Sequence, residues 1–128
     1  MRLRLQALAL VLGLGLVGVS VSLSAHHAWP VSYSKLVTVK GTVTAFTWAN
    51  PHPMIALDVR SDAGTVEKWS VGGPALNRME GNGWKRDTVK PGDVLTATGY
   101  QFADGQKIIR LEKVIMPDGK EMFLYGRR

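Results

Sequence analysis

Three histidines and one methionine give this chain its capacity for coordination chemistry. His26 and His27 stand together in "SAHHAWP", directly after a run of leucines and valines, and His52 lies between Pro51 and Pro53 in "ANPHP". These are all the imidazoles of the 128-residue sequence, and it has no cysteine. A thiolate metal site, a disulfide and a cysteine nucleophile are therefore excluded. What the vicinal pair offers depends on where the chain is cut. Cleavage after Ala25 frees His26 as the N-terminus; its α-amino group and imidazole chelate one metal ion, and a second histidine completes a T-shaped set of three nitrogens. Cleavage after Ser24 leaves Ala-His-His, where the amino group, two deprotonated backbone amides and the His27 imidazole form a square-planar site for Cu(II) or Ni(II). Both donor sets suit copper, which heads the affinity order of the divalent metals. Structural zinc calls for four protein ligands and is the poorer match. His52 is the third candidate ligand, on a loop that flanking prolines stiffen, so that less entropy is lost when a ligand fixes it. Met54 adds a soft sulfur suited to Cu(I). The plainer readings are solvated histidines at a chain end, a hydrogen-bonding His52 and a packed Met54.

The segment before the histidines explains why a cut is expected. "MRLRLQALALVLGLGLVGVSVSLSA" has Arg2 and Arg4 at its start, an apolar run from Leu5 to Val21, and small residues at Ser20, Ser22, Ser24 and Ala25. This is the pattern of a signal peptide over residues 1–25. The alternative, an uncleaved anchor, has an apolar run at the lower limit for a bilayer span. The expected location is periplasmic or secreted, with membrane contact confined to the leader before cleavage and nucleic acid not a partner. The formal charge of +6 includes Arg2 and Arg4; what remains is a mild basicity compatible with an anionic envelope surface. A remainder of about 100 residues is enough for one core without covalent staples.

The elements that must position the candidate ligands read as follows. Residues 26–35 form a lead-in, where Pro30 argues against a helix, and 36–128 form the domain. "LVTVKGTVTAFTW" alternates as a strand with Val37, Val39, Val43 and Ala45 on one face, and Gly41 marks a bulge or bend. "MIALDVR" and "TVEKWSV" are the next two strands, separated by the "SDAG" turn. "PALNRMEG" forms a short helix, with Pro74 in its first turn, Leu76 and Met79 three apart, and Gly81 as the stop. "GNGWKRDTVKPGD" is a loop. "VLTATGY" and "KIIRLEKVIM" are strands joined through "ADGQ", and after "PDGK" the stretch "EMFLY" supplies a short last strand. Three strands, a helix and two or three strands give an all-β fold: a small OB-fold-like barrel of five to six strands, with one short helix between strands 3 and 4, preceded by a signal-peptide helix; a different small barrel or a β-sandwich shares the pattern.

The chain resembles a family of small exported bacterial proteins catalogued as domain of unknown function 6152. The likeness is carried by His26 and His27 after the leader, "KGTVTAFTWANPH" with Asn50, Pro51 and His52, Trp69, Gly83-Trp84, "KPGD" from Lys90 to Asp93, Gly99-Tyr100 and "MPDGK" from Met116 to Lys120. The resemblance implies export and a small β domain, and it implies no reaction. Two places depart from the family pattern: Ala28 and Trp29 follow the histidines where relatives often have Ser-Phe, and Pro53 and Met54 follow His52 where an aromatic is expected.

Other groupings define the competing functions. Trp29, Trp48 and Trp84, with Asn50 at the rim, form a candidate contact surface for an envelope protein or glycan, since OB folds bind ligands on such faces. The competing reading places Trp69 in the core and Trp48 and Trp84 as caps on the barrel ends. Lys85, Arg86 and Lys90 make a basic loop that reads as a solvated face. No catalytic motif occurs: there is no G-x-S-x-G, no H-E-x-x-H and no phosphate loop. The expectation is a small exported binding module, not an enzyme, with copper as its hypothetical cofactor through His26, His27 and His52. The alternatives are a metal-free module binding an envelope partner at the barrel rim, and a small copper redox enzyme with an N-terminal histidine.

Overall fold

The computed structural model describes residues Ala28 to Tyr125. The expected leader, His26 and His27 lie outside the described residues. Among the described residues no helix is long and apolar enough to cross a membrane.

Six strands and one helix make up the domain: β1 Val31–Thr47, β2 Met54–Arg60, β3 Val66–Gly72, α1 Leu76–Gly81, β4 Val94–Phe102, β5 Ile108–Ile115 and β6 Glu121–Phe123. The sheet order is β3-β2-β1-β4-β5-β6, and a parallel β3–β5 pairing closes the first five strands on themselves. This is the OB-like barrel expected from the element order, with β6 added outside β5. Alternation builds the core, because every second side chain of a strand points inward. Ile55, Leu57 and Val59 of β2, Leu95 and Ala97 of β4, and Ile109 and Leu111 of β5 are buried on that basis. Met79 of α1, Trp84 and Leu124 join the same core.

β1 is the long first strand shared by both halves of the barrel, as expected, and it differs from the expectation in its start, its bulge and its alternation. It begins at Val31 rather than Leu36, so part of the expected lead-in is strand, and Val31 pairs with Phe102 of β4 before an irregularity ahead of Leu36. It then serves both halves of the barrel, pairing with β4 as far as Thr42 and with β2 from Thr42 to Thr47. Gly41 sits at this handover, where a Cβ would lie 2.8 Å from the Asp58 carbonyl oxygen. The bulge expected at Gly41 falls instead between Val43 and Ala45. Thr44 is the extra residue, and its hydroxyl donates to the Ala56 carbonyl at 3.3 Å. The insertion shifts the alternation, so Ala45 faces solvent while Phe46 turns partly inward.

Trp84 corrects a second expectation. It is 1% exposed, and its Nε1–H donates to the Phe123 carbonyl at 3.2 Å. A side chain so enclosed is not available to a partner, so the contact surface built on Trp29, Trp48 and Trp84 loses one of its tryptophans.

Candidate functional site

His52 lies in the connection from β1 to β2, and that connection is tied to the chain leaving β3. The Gly73 N–H donates to the Pro53 carbonyl at 2.9 Å. The His52 Nδ1–H donates to the Gly73 carbonyl at 3.1 Å. Asn50 Oδ1 accepts from the Leu76 N–H at 3.2 Å, and the Asn50–Pro51 peptide bond is cis. A carbonyl only accepts, so Nδ1 carries the proton, and in the neutral ring Nε2 holds the lone pair. Backbone anchoring of one ring nitrogen is the usual way a protein fixes the tautomer and direction of a metal-binding imidazole.

The chain entering β1 comes back to this loop. The Trp29 ring lies 4.6 Å from the His52 ring, centroid to centroid, tilted by 52°. Phe102 lies edge-on to the same indole at 5.8 Å. The Ala103 N–H fixes the following turn by donating to the Pro30 carbonyl at 2.8 Å. Glycine at position 72 makes this possible. A Cβ there would lie 2.2 Å from Trp29 Cη2 and 2.7 Å from Met54 Sδ. The indole thus lies across bare backbone, with the Met54 sulfur beside the same glycine.

Two hollows flank the Trp29–His52 pair. One, of about 410 Å³, is walled by Ala28, Pro30, Pro51 and Phe102 together with the pair itself. The other, of about 500 Å³, adds Tyr33, Asn77, Arg78, Arg110 and Tyr125. Here the Arg110 guanidinium sits 4.0 Å over the Tyr125 ring and the Arg78 guanidinium 5.8 Å from it. Arg110 is also ion-paired to Glu112. Burial pushes the Tyr125 phenol above its ordinary value, with the Arg110 charge partly opposing. Because the folded phenol holds its proton to higher pH than the unfolded one, its stabilisation is complete below the ordinary tyrosine value of about 10. It is lost as pH rises through the folded value. In an absorbance titration the most alkaline part of the tyrosinate signal is expected to vanish in Tyr125→Phe; an unchanged curve contradicts this.

The remaining predicted site residues are dispersed. Trp48 is half-buried and packs edge-on against Phe46 at 5.6 Å. Trp69 donates its indole N–H to Glu67 at 3.1 Å; the Lys107 ammonium first, and this indole bond second, lower the Glu67 carboxyl from its ordinary value. The structure brings together Trp29, His52 and Asn50 around the start of α1. Among the described residues, no three of His, Cys, Asp and Glu gather as a metal group. Sequence reasoning missed Arg78, Arg110 and Tyr125. The one signal was the alternation of Arg110 and Glu112 with apolar neighbours in β5, which marks a charged outer face.

A family model described as a family of unknown function (DUF6152) matches residues 13–109. The chain belongs to this family. No curated protein matches the chain. The family match takes in Trp29, His52, Gly72 and Arg78, and ends before Arg110 and Tyr125. The resemblance carried by the histidine pair, the "ANPH" loop and the glycine–aromatic pairs is thereby established at the level of the family.

Proposed function

We propose that this member of the family is an exported binding module of the bacterial envelope that holds a copper ion between His52 and its leading histidines. The observation that carries the reading is the docking of Trp29 on His52. His27 is two residues before Trp29 in the sequence. The bond from Nδ1 to Gly73 supports the same reading, because it leaves Nε2 as the donor. Export rests on the leader-like residues 1–25. With Trp84 in the core and Trp29 held between His52 and Phe102, the metal-free partner surface reduces to Trp48 and Asn50, and it is the weaker reading.

The test uses the protein isolated as the cell processes it, with its intact mass defining the N-terminus. Titrated with Cu(II), the His52→Ala protein is expected to bind at least about tenfold more weakly, within the range lost when a metal site is altered. His26→Ala or His27→Ala is expected to weaken binding further, according to the cut, and the Cu(II) electron paramagnetic resonance spectrum should show fewer nitrogen couplings. Affinity should fall on acidification, because protons compete for the same nitrogens. Unchanged affinity in all three variants overturns the reading.

A further inference from the structure

We propose that the cavity beside His52 binds a small planar organic anion, a carboxylate on an aromatic or unsaturated body, with Arg78 as its charge partner. Its volume of about 500 Å³ is in the range of small-ligand sites. Four of its walls are aromatic: Trp29, Tyr33, His52 and Tyr125. Its charges are unequal. Arg110 is neutralised by Glu112 and stacked on Tyr125, which fixes it in place. Arg78 has no such partner: among the described residues no carboxylate lies within ion-pair distance of it. The cavity therefore carries an excess positive charge on a planar fork that matches a carboxylate, next to the Asn77 amide. The hollow on the other side of the Trp29–His52 pair has no charged wall, which makes the cationic side specific to the Arg78 face. The site does not depend on the metal reading, since neither arginine is a candidate ligand.

Binding of benzoate to the full-length chain, followed by calorimetry and by the indole N–H resonance of Trp29 with a chelator present, tests the proposal. Saturable binding is expected, with benzyl alcohol and inorganic phosphate each at least about tenfold weaker, because one lacks the charge and the other the planar body. Arg78 is exposed and its guanidinium lies 5.8 Å from the Tyr125 ring, outside the core, so Arg78→Gln is expected to fold and to bind benzoate about tenfold more weakly. Arg78→Lys should recover part of the loss, and Lys85→Gln, on the basic loop, should change nothing. Phenyl phosphate separates the anion classes: tighter binding than benzoate overturns the carboxylate assignment. The site itself is overturned if benzoate does not saturate, if benzyl alcohol binds equally well, or if Arg78→Gln binds like the parent. The chelator keeps these outcomes distinct from failure of the copper site.

Discussion

Replacing Trp84 with alanine is expected to lower the unfolding free energy by about 3–5 kcal/mol, the usual cost of emptying a buried indole site. The residue is 1% exposed, and its removal leaves a void among Met79, Leu124 and the barrel interior that these neighbours cannot fill without moving. It also leaves the Phe123 carbonyl without the indole donor it has at 3.2 Å. A loss of this size is a large part of the total stability of a small domain, so Trp84→Phe provides the graded companion. It keeps most of the volume, forfeits the hydrogen bond, and should cost about 1–2 kcal/mol. Urea unfolding checks both, with unchanged denaturant dependence required for the comparison. A cost below about 1 kcal/mol for Trp84→Ala contradicts the core position, and would return this tryptophan to the surface role that its loop context suggested.

Gly99→Ala is expected to be nearly as damaging, at about 3 kcal/mol, for the opposite reason. A Cβ at this position would lie 2.1 Å from the Arg110 carbonyl oxygen and 3.0 Å from Leu111 Cα. Both are backbone atoms of the neighbouring strand and cannot rotate away. The close approach arises where the β4–β5 register shifts between Thr98 and Gly99. Glu112 is the extra residue on β5 there, and its carbonyl accepts from the Leu124 N–H at 3.2 Å. Separating the strands to admit a methyl group would disturb Arg110 and Glu112 together. Gly81→Ala is the control, because its Cβ would meet nothing within 4 Å; it should be neutral or slightly stabilising. Equal stability of Gly99→Ala and the parent would contradict the close approach.

How far the sequence was legible follows from which interactions are local. Alternation revealed β2, β4 and β5, and the spacing of Leu76 and Met79 between Pro74 and Gly81 revealed α1. Turn glycines such as Gly64 and Gly105, both at positive φ, marked the hairpins. The bulge at Thr44 was hidden because a threonine in a β-branched run carries no signal for an extra residue. Trp84 was hidden because it sits between loop-forming residues, and only tertiary packing decides whether such an indole turns inward. Of the candidate site, His52 was visible as a residue with chemistry, and its place on the barrel rim followed from the fold. Its tautomer was not, since the Gly73 carbonyl that sets it becomes a neighbour only when the barrel closes. The meeting of Arg78 with Arg110 and Tyr125 joins α1, β5 and the chain after β6, and no spacing rule connects them.

The parallel pairing that closes the barrel matches Ser70 with Ile108, Val71 with Ile109 and Gly72 with Arg110. One side of this short joint runs on to the carbonyl that holds His52, and the other side carries Arg110 into the cavity. A molecule held by Arg78 of α1 beside the Arg110–Tyr125 stack would therefore bridge the two sides of the joint. Slower amide exchange at Val71 and Ile109 would report its arrival, even where the ligand touches neither residue, because occupancy stabilises the folded state by mass action.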